Sequence, residues 1–451
     1  MKRNNYYDVT DWQVGNPYTD IGEVINSIIA DIKNRQKDTN VNDGGKPGAV
    51  IYIPSGDYHL KTQVKIDISY LKIQGSGHGF VSSSIRYNVP KEQWKDLHDI
   101  WPGGSRILVD LEPLKGDERS GAAFLVEREG DPRISSVEFE NFCIDGLHFV
   151  DDGNGDSENT YLNGKTGIYV ASAQDSFRIT GMGIIYLEHG VTLYNSDALS
   201  VHDNFIAECG NCVELRGAGQ ASKITDNLMG AGYRGYTIFA ENFGGLLITS
   251  NNIPRGKSIV HLKGVLRSSV TANRFHSFYP GMLIMENCRE NLISSNHFLR
   301  DHEPWPPMLE YDNGLEDDFG LIHIQGSSNS LIANHISETI EQQYLKPAGV
   351  KPIIIRLVSG RENYIANNHI VATTKTDKKE SEENQSCFDA QVGALLSMDE
   401  LVKLPIEAVH VDEASLDNII LDTCRENEAV MDFAENVFRG IPCLSQSAEL
   451  S

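Results

Sequence analysis

The stretch HDNFIAECGNCVEL, residues 202–215, gathers several residue types that do chemistry in proteins. Asp203 and Glu214 could act as a pair of carboxyl groups, and Cys209 and Cys212 form a Cys-x-x-Cys motif. A carboxyl pair can cleave a glycosidic bond, because one group protonates the leaving oxygen while the other acts as base or nucleophile. A Cys-x-x-Cys motif can instead belong to a redox centre or a zinc site. The choice depends on the scaffold around the stretch.

The two cysteines are better explained as packed thiols than as a functional centre. A zinc site would need a second pair of ligands at suitable spacing, and the sequence has no second Cys-x-x-Cys motif. A thioredoxin-like motif needs a strand-to-helix context, which the surrounding β pattern does not offer. The seven cysteines form an odd and scattered set, which predicts reduced thiols in a cytoplasm and no disulfide framework.

An internal repeat organises the middle of the chain. Its template is an apolar residue, two variable residues, Asn, one variable residue and another apolar residue. Seven copies read VHDNFI, ITDNLM, ITSNNI, VTANRF, ISSNHF, LIANHI and IANNHI, with asparagines at positions 204, 227, 251, 273, 296, 334 and 368. Successive asparagines are separated by 23, 24, 22, 23, 38 and 34 residues, so four regular steps precede two that carry insertions.

A period of about 23 residues with short β-rich pieces is typical of one coil of a parallel β-helix. Strands of such a fold stack on their counterparts about 4.8 Å above and below. Asparagines at one bend can then hydrogen-bond to each other and to the turn backbone as a ladder. Leucine-rich repeats have a similar period, but the leucines are too few and no helical half is visible. The sequence therefore predicts an all-β solenoid.

The two ends of the repeat region predict caps on a single solenoid domain. Residues 21–36 carry an apolar helical face, which we expect to close the open core at the N-terminus; its members are Val24, Ile25, Ile28, Ile29 and Ile32. The predicted organisation is an N-terminal segment with the capping helix over 1–45, the parallel β-helix over 46–372, and a charged linker with a C-terminal appendage over 373–451.

Three irregular stretches interrupt the pattern. Residues 151–165 are acidic and glycine-bearing, and we expect a loop that can act as a lid. Residues 300–320 account for the longest step between asparagines and are expected to be an insertion between coils. Residues 373–385 form a solvated charge run.

Asp203 and Glu214 are the acids of this stretch that the repeat does not explain. Asp203 directly precedes a ladder asparagine, and the fold does not require an acid there, since other coils have Asp226, Ser250, Ala272, Ser295, Ala333 and Asn367. Glu214 lies between Val213 and Leu215, so it faces outward if those two face the core. About half a coil separates the two acids, which would allow them to approach each other around a bend. The alternative is a pair of solvated surface acids.

The net charge narrows the choice of partners. Lys and Arg number 39 against 63 Asp and Glu, which gives −24 at pH 7 and an isoelectric point near 4.9. Such a surface repels phosphate backbones and anionic membranes, so no nucleic acid or membrane partner is expected, and a neutral ligand such as a sugar is favoured. The first residues lack the apolar run of a secretory leader, which predicts a cytoplasmic protein. A secreted protein whose leader had been removed is the alternative.

Several segments resemble one enzyme family. YDVTDW, AVIYIPSGDYHLKTQV, GSGHGF, NGKTGIYVAS, ITGMGIIYLEH, DNFIAECGNCVELRGAGQASKI, SFYPGM and ENLISSNHFLR are similar to the inulin fructotransferases and difructose anhydride III hydrolases of glycoside hydrolase family 91. The resemblance extends from about residue 6 to about residue 370. It implies a right-handed parallel β-helix of the pectate-lyase type, assembled as a homotrimer with active sites at the subunit interfaces. It also implies that no metal and no organic cofactor is needed.

The resemblance also implies that Asp203 and Glu214 are the catalytic pair. Glu214 is then expected to be the general acid, with a pKa that burial in an interface cleft raises relative to that of its partner, while Asp203 activates water, acts as nucleophile or stabilises an ion pair. Polar or aromatic residues near the pair in sequence or coil position are candidate sugar contacts: Tyr186, Glu188, His189, Asn211, Gln220, Arg234 and Glu241.

Two activities occur in the family that the chain resembles. An intracellular hydrolase opens difructose anhydride III to inulobiose, whereas a fructotransferase releases that anhydride from inulin by intramolecular attack. The absent leader, the thiols and stretches 106–121 and 151–165, which could shield a small pocket, favour the hydrolase. Two further alternatives are a non-catalytic β-helix that binds polysaccharide and a polysaccharide lyase. The lyase chemistry normally needs Ca²⁺ and a basic face, which the acidic charge disfavours.

Overall fold

The computed structural model describes most of the solenoid. The described residues are 5–37, 48–79, 103–128, 133–146, 162–171, 175–231, 235–254, 258–301, 313–341, 351–375, 401–403, 406–421, 430–432 and 438–439. Most of the predicted lid at 151–165, much of the insertion at 300–320 and most of the charge run at 373–385 lie outside these residues. The fold divides into two compact units; all described residues of the first unit lie within Met1–Phe239, and the second unit contains Ala240–Ser381 and Leu395–Ser451.

The predicted capping helix is present as Ile21–Lys37. Its N-terminus is capped by Asp20, whose Oδ1 accepts a hydrogen bond of 3.1 Å from the backbone N of Gly22. All five predicted apolar residues are buried. The helix packs against the strands Ala49–Ile53, Gly56–Leu60 and Val64–Ile66 and so covers the first turn of the solenoid. No helix in the described ranges is long and apolar enough to cross a membrane.

Three parallel sheets, named A, B and C in chain order, form the first unit. Sheet A contains Tyr6–Asp8, Ala49–Ile53, Leu71–Gly75, Glu138–Glu140, Arg178–Thr180, Ser200–His202 and Lys223–Thr225. Sheet B contains Gly56–Leu60, Ser105–Val109, Cys143–Asp145, Gly183–Ile185, Phe205–Cys209 and Leu228–Ala231. Sheet C contains Val64–Ile66, Ala122–Val126, Thr166–Val170, His189–Tyr194 and Asn211–Arg216. The short strand Gly219–Gln220 follows, and the unit boundary falls inside Tyr236–Glu241.

The second unit repeats this arrangement of three sheets. Its sheet A strands are Leu247–Thr249, Ser269–Thr271, Leu292–Ser294, Ser330–Ile332, Tyr364–Ala366, Ile419–Leu421 and Phe438–Arg439. Its sheet B strands are Asn252–Pro254, Arg274–Ser277, His297–Asp301, His335–Glu341, His369–Lys375 and Leu401–Lys403, the last of which is antiparallel. Its sheet C strands are Ser258–Lys263, Leu283–Arg289, Ile322–Ser327, Ile353–Arg361, Glu407–Val411 and Val430–Asp432. Phe243–Gly244 is a short extra strand, and Asp317–Phe319 forms a 3₁₀ turn.

The core consists of apolar side chains stacked in register from coil to coil. In sheet C of the first unit, Phe124, Ile168, Val191 and Val213 are direct neighbours on successive strands, and each is fully buried. Because strand residues alternate between two faces, the residues between them point away from the interior. The predicted right-handed parallel β-helix is confirmed.

The predicted asparagine ladder is present at the bend between sheets A and B. In the second unit, Nδ2 of Asn273 donates to Oδ1 of Asn296 at 3.0 Å, and the same bond recurs from Asn296 to Asn334 and from Asn334 to Asn368 at 3.0 and 2.9 Å. In the first unit, Asn204 donates to Asn227 at 2.9 Å. These side chains are buried, so the ladder satisfies turn carbonyls that water cannot reach.

The residue before each ladder asparagine adopts a left-handed backbone conformation. The φ values lie between 53° and 57° at Asp203, Asp226, Ser250, Ala272, Ser295, Ala333 and Asn367. This conformation turns the chain from sheet A into sheet B and directs the side chain outward. The turn thus requires a backbone conformation and not an acid, as the sequence indicated.

A second ladder, which sequence reasoning missed, lies at the bend that leads from sheet C into sheet A. Asn291 donates to Asn329 at 2.9 Å, Asn329 to Asn363 at 3.1 Å and Asn363 to Asn418 at 3.0 Å. The first three precede their predicted ladder asparagines by five residues each. That constant offset was a usable sequence signal.

A buried ionic triad lies in the second unit. Nη2 of Arg300 donates to Oδ1 of Asp317 at 2.6 Å, and its Nη1 lies 3.1 Å from Oε1 of Glu338. Arg300 and Glu338 are direct neighbours on adjacent strands and share the inward face with Phe298 and Ile336. Neither carboxyl oxygen of Glu338 makes a hydrogen bond to a described residue. Burial raises its pKa to about 7, against the attraction of Arg300 and with a further push from Asp317.

We expect Glu338→Gln to gain stability relative to the native chain as the pH rises. A carboxyl whose pKa is higher in the folded than in the unfolded chain stabilises the fold at low pH, and this contribution is lost as pH rises from about 4.5 through 7. The native chain should lose about 3 kcal/mol over this range that the Gln variant keeps. Urea unfolding of both proteins at pH 5 and pH 8 measures the difference. A difference that does not change with pH would contradict an ionising Glu338.

Candidate active site

Glu214 lies on the outer face of sheet C in the first unit. Its neighbours in the strand, Val213 and Leu215, are fully buried in the interior, so alternation turns Glu214 outward as predicted. On the adjacent strand it is in register with Thr192. Despite its outward direction the side chain has no exposed surface, because other polar side chains enclose it.

Three side chains donate hydrogen bonds to the Glu214 carboxylate. Nδ1 of His189 lies 2.5 Å from Oε2, and Oγ1 of Thr192 lies 3.2 Å from the same oxygen. A guanidinium nitrogen of Arg216 binds Oε1. Both oxygens are therefore occupied by donors, and two of the three donors can carry a positive charge.

The charge state of this cluster differs from the expectation for a general acid. Burial acts to raise the pKa of Glu214, but the hydrogen bond and charge of His189, together with Arg216, outweigh it and hold the pKa below its usual value. Burial likewise lowers the pKa of His189, and Glu214, helped by Glu118 and Glu188, reverses the shift and raises it. The pKa of Glu214 is thus lowered within a single chain, whereas a general acid is expected to have a raised pKa. The pair thus favours the ionised form of Glu214 and the protonated form of His189.

Arg216 completes the cluster, and sequence reasoning missed it. Its guanidinium lies 5.1 Å from the ring centroid of Phe239. Burial acts to lower the pKa of Arg216, but the charge and hydrogen bond of Glu214 outweigh it and raise that pKa. The signal was available, since Glu214 and Arg216 are two residues apart on one strand and so share a face. Tyr169 lies on the strand Thr166–Val170, and Tyr194 lies on the neighbouring strand His189–Tyr194 of the same sheet. The centroids of their rings are 5.7 Å apart. Aromatic rings beside fixed polar groups suit a sugar ligand.

The second ring nitrogen of His189 faces two more carboxylates. Its Nε2 lies 3.9 Å from Oε1 of Glu118 and 3.9 Å from Oε1 of Glu188. Oε2 of Glu188 accepts a hydrogen bond of 2.7 Å from the backbone N of Gly164, which fixes that side chain. Glu188 and His189, both predicted sugar contacts, are therefore part of the Glu214 cluster, and Glu118 joins it from the stretch 106–121 that was expected to shield a pocket.

Asp203 lies at the bend between sheets A and B. Its side chain is 64% exposed, and Oδ2 lies 2.9 Å from Nδ1 of His202. The chain crosses all of Phe205–Cys209 before it reaches the strand of Glu214, and buried apolar side chains fill the space between these elements. The two acids of one chain therefore lie on different sides of the coil. The expectation that they approach each other around a bend is wrong within a single chain.

The remaining predicted sugar contacts are scattered. Asn211 begins the strand of Glu214, and its Oδ1 accepts from the backbone N of Tyr236 at 2.8 Å. Tyr186 is buried in an apolar cluster with Cys143 and Ile185, in a left-handed conformation with φ 56°. Gln220 is exposed and donates to Asp197 at 3.2 Å, at the bend into sheet A. Glu241 belongs to the second unit. Arg234 lies outside the described residues.

The Cys-x-x-Cys motif is structural. Cys209 and Cys212 are buried free thiols that contact the backbone carbonyls of Ile184 and Ile206 at 3.6 and 3.5 Å. Burial raises the pKa of Cys212 well above its usual value, which keeps it as an unreactive thiol. The histidines 297, 335 and 369 form a row on sheet B of the second unit, with ring centroids 4.9 Å apart at each step and ring planes inclined by 76° and 55°.

Two family models match parts of the chain. The β-helix repeat of inulin fructotransferase matches residues 295–442, and the model of NosD, a periplasmic copper-binding protein, matches residues 131–304. Inulin fructotransferase (DFA-I-forming) of Arthrobacter globiformis is 43% identical over 376 residues, which cover 82% of this chain and 90% of the relative.

Solved structures of DFA-IIIase from Arthrobacter chlorophenolicus A6 are similar over nearly the whole chain. The complex with GF2 is 62% identical, with a TM-score of 0.86, and covers 95% of this chain and 97% of its own. The complex with DFA-III is 61% identical, with a TM-score of 0.87, and covers 97% and 98%. A form without its lid is 58% identical, with a TM-score of 0.83 and coverage of 98% and 100%. The chain is therefore a fructan-converting enzyme and belongs to glycoside hydrolase family 91, with the inulin fructotransferases and DFA-III enzymes.

Proposed function

We propose that the protein is a difructose anhydride III hydrolase, which opens the dianhydride to inulobiose with the carboxylates Asp203 and Glu214. The observation that carries the proposal is the 61–62% identity over nearly the whole chain to DFA-IIIase structures that hold DFA-III or GF2. The enclosed carboxylate of Glu214, with charged donors and nearby aromatic rings, supports a site for a small neutral sugar. The buried free thiols support a cytoplasmic location.

The second candidate is an inulin fructotransferase, which would release a difructose anhydride from inulin by intramolecular attack. The relative from Arthrobacter globiformis favours it, because that protein is a DFA-I-forming transferase and is 43% identical. Both reactions break or form a bond at the same anomeric carbon, and they differ in whether water or a sugar hydroxyl attacks. The transferase is the second candidate because the chain is less similar to that relative, at 43% identity, than to the DFA-IIIase structures, at 61–62%.

We further propose that the active site is completed by a second copy of the chain in a homotrimer. Asp203 and Glu214 of one chain lie on different sides of the coil, so they cannot flank one glycosidic bond by themselves. In a cyclic trimer each interface is heterologous, and the Asp203 bend of one subunit can meet the outer face of sheet C of the next. The exposure of Asp203 supports this arrangement, because the side chain is available to a partner.

Separate incubations with DFA-III and with inulin test the proposed reaction. We expect inulobiose from DFA-III and no difructose anhydride from inulin, as resolved by anion-exchange chromatography. The Glu286→Gln variant is incubated in parallel as a control protein. Glu286 also faces a histidine from sheet C, with its Oε1 3.2 Å from Nε2 of His261, but it lies in the second unit. Release of an anhydride from inulin, without hydrolysis of DFA-III, would replace the hydrolase by the transferase.

A further inference from the structure

We propose that His335 and His369 form a binding site for a divalent transition-metal ion, with their two Nδ1 atoms as its protein ligands. The site lies on the outer face of sheet B in the second unit, whereas Asp203 and Glu214 belong to the first unit. A bound ion links two neighbouring coils of the solenoid. The proposal concerns the stability of the fold and does not depend on the proposed function.

The scaffold places the two histidines side by side. His335 and His369 are direct neighbours at the starts of adjacent parallel strands. Each follows a ladder asparagine, and Asn334 donates to Asn368 at 2.9 Å, so the turns before both histidines are fixed. The centroids of the two rings are 4.9 Å apart, which is close to the spacing between neighbouring strands. The backbone therefore holds both ligands in place before an ion binds.

The two ring nitrogens are separated by the distance expected for neighbouring ligands of one ion. Nδ1 of His369 lies 3.0 Å from Nδ1 of His335, and the ring planes are inclined by 55°. Metal–imidazole bonds are about 2.0–2.1 Å long, so two nitrogens bound at a right angle lie about 2.9 Å apart, and two bound at a tetrahedral angle lie about 3.3 Å apart. The observed distance matches the right angle, which is typical of tetragonal Cu²⁺ and Ni²⁺ sites and not of tetrahedral Zn²⁺.

Both side chains can be reached by an ion from solvent. His335 and His369 are exposed, and His297, the next member of the row, is half-buried. In the described ranges no group of three or more His, Cys, Asp or Glu side chains could hold a metal ion. Water therefore fills the other positions around the ion, as suits an exchangeable ion on a protein surface.

The electrostatics of the row favour the form of histidine that binds a metal. Partial burial, followed by the charge of His369, lowers the pKa of His335. Partial burial, followed by the charges of His335 and Arg274, lowers the pKa of His297. Only a deprotonated, neutral imidazole nitrogen has a lone pair to offer a metal. At neutral pH an ion therefore meets little competition from protons at His335.

An ion at this site acts as a cross-link between coils. His335 and His369 are 34 residues apart in the chain, so the fold is what brings their rings together. A ligand that binds the folded chain in preference to the unfolded chain raises the unfolding temperature. The expected effect is a metal-dependent gain in the stability of the second unit.

Calorimetric titration and thermal unfolding of the full, untagged chain with Ni²⁺ test the site. The protein is first freed of metals with a chelator, which is then removed. We expect the native chain to bind Ni²⁺ and its unfolding temperature to rise by several degrees at saturation. His335→Ala and His369→Ala should each weaken the binding by about tenfold or more and remove most of the rise, since even the loss of an outer-shell partner of a metal has an effect of that size. Equal binding by the native chain and both variants, or no binding at all, would overturn the proposal.

His59→Ala is the matched control. His59 is a partly exposed histidine of the first unit, and its Nδ1 lies 2.6 Å from Oδ2 of Asp110. This variant should bind Ni²⁺ as the native chain does, and a loss of binding equal to that of His335→Ala would place the ion elsewhere and overturn the proposal.

The EPR spectrum of bound Cu²⁺ gives a second readout, because nitrogen hyperfine coupling counts the imidazole ligands. We expect two nitrogen donors in the native chain and one in His335→Ala or His369→Ala. A spectrum that both substitutions leave unchanged would contradict the site. Zn²⁺ should bind more weakly than Ni²⁺, because the two nitrogens are too close for a tetrahedral ion. An equal affinity for Zn²⁺ would overturn the assignment of a right-angled site.

Discussion

Glu214→Gln is expected to lower kcat by about 10³–10⁴ while the protein stays folded. The amide cannot carry the negative charge that Arg216 and a protonated His189 require, so the imidazole and the guanidinium lose their common partner. Asp203→Asn is expected to lower kcat similarly, although its side chain is exposed and its replacement should leave stability nearly unchanged. Steady-state kinetics with the accepted fructan substrate, together with thermal unfolding of each variant, measure both effects.

Mixing the two inactive variants tests whether their carboxylates come from different subunits. Random assembly of Asp203→Asn and Glu214→Gln chains in a cyclic trimer leaves about a quarter of the interfaces with both native residues. Doubly tagged hybrids contain both kinds of chain, so one of their three interfaces has both native residues. They should therefore recover about a third of the native activity, although each variant alone is inactive. Hybrids confirmed by native mass spectrometry that remain inactive would contradict the shared site, and a monomeric protein would contradict the trimer.

Arg300→Met is expected to lower the free energy of unfolding by about 3–5 kcal/mol, the largest stability effect that we predict. The guanidinium is 3% exposed and is the only basic group of the triad with Asp317 and Glu338. Methionine fills similar space but leaves two acidic side chains buried without a counter-charge. Asp317 also loses its short hydrogen bond outright. Urea unfolding at pH 8 measures the loss.

Two controls distinguish loss of the buried charge from loss of packing. Arg267→Met removes an exposed ion pair with Glu290 and should change stability by less than about 1 kcal/mol. Adding Glu338→Gln to Arg300→Met should recover part of the stability at pH 8, because the second change removes one of the stranded carboxylates. A double variant as unstable as the sum of both single variants would point to packing as the cause.

The fold could be predicted because each coil repeats the same local requirement. Asn273, Asn296 and Asn334 satisfy the same turn carbonyls, and the left-handed position before them recurs with unrelated side chains. This pattern explains the ladder asparagines but requires neither Asp203 nor Glu214, so the two acids could be recognised as candidates for catalysis. The outward direction of Glu214 followed from strand alternation alone.

The electrostatics of the site could not be predicted, because they depend on which neighbours enclose each acid. Burial alone would make Glu214 a strong candidate for a raised pKa, and only the distances to His189 and Arg216 reverse that conclusion. The sequence also did not show that Asp203 and Glu214 lie on different sides of the coil. A separation of eleven residues along the chain does not say which side of a coil each residue occupies. The second ladder, beginning at Asn291, could have been predicted from its constant offset of five residues before the first ladder.

The left-handed position at Asp203 accepts different side chains without a change of backbone conformation. The seven coils that carry a ladder asparagine each have one outward side chain at that position, and Asp, Ser, Ala and Asn all occupy it with φ between 53° and 57°. A reactive group can therefore be moved by about 4.8 Å, from one coil to the next, by two substitutions and without refolding. Specificity for longer or shorter fructans could thus arise by shifting the acid along the axis, with the core left untouched.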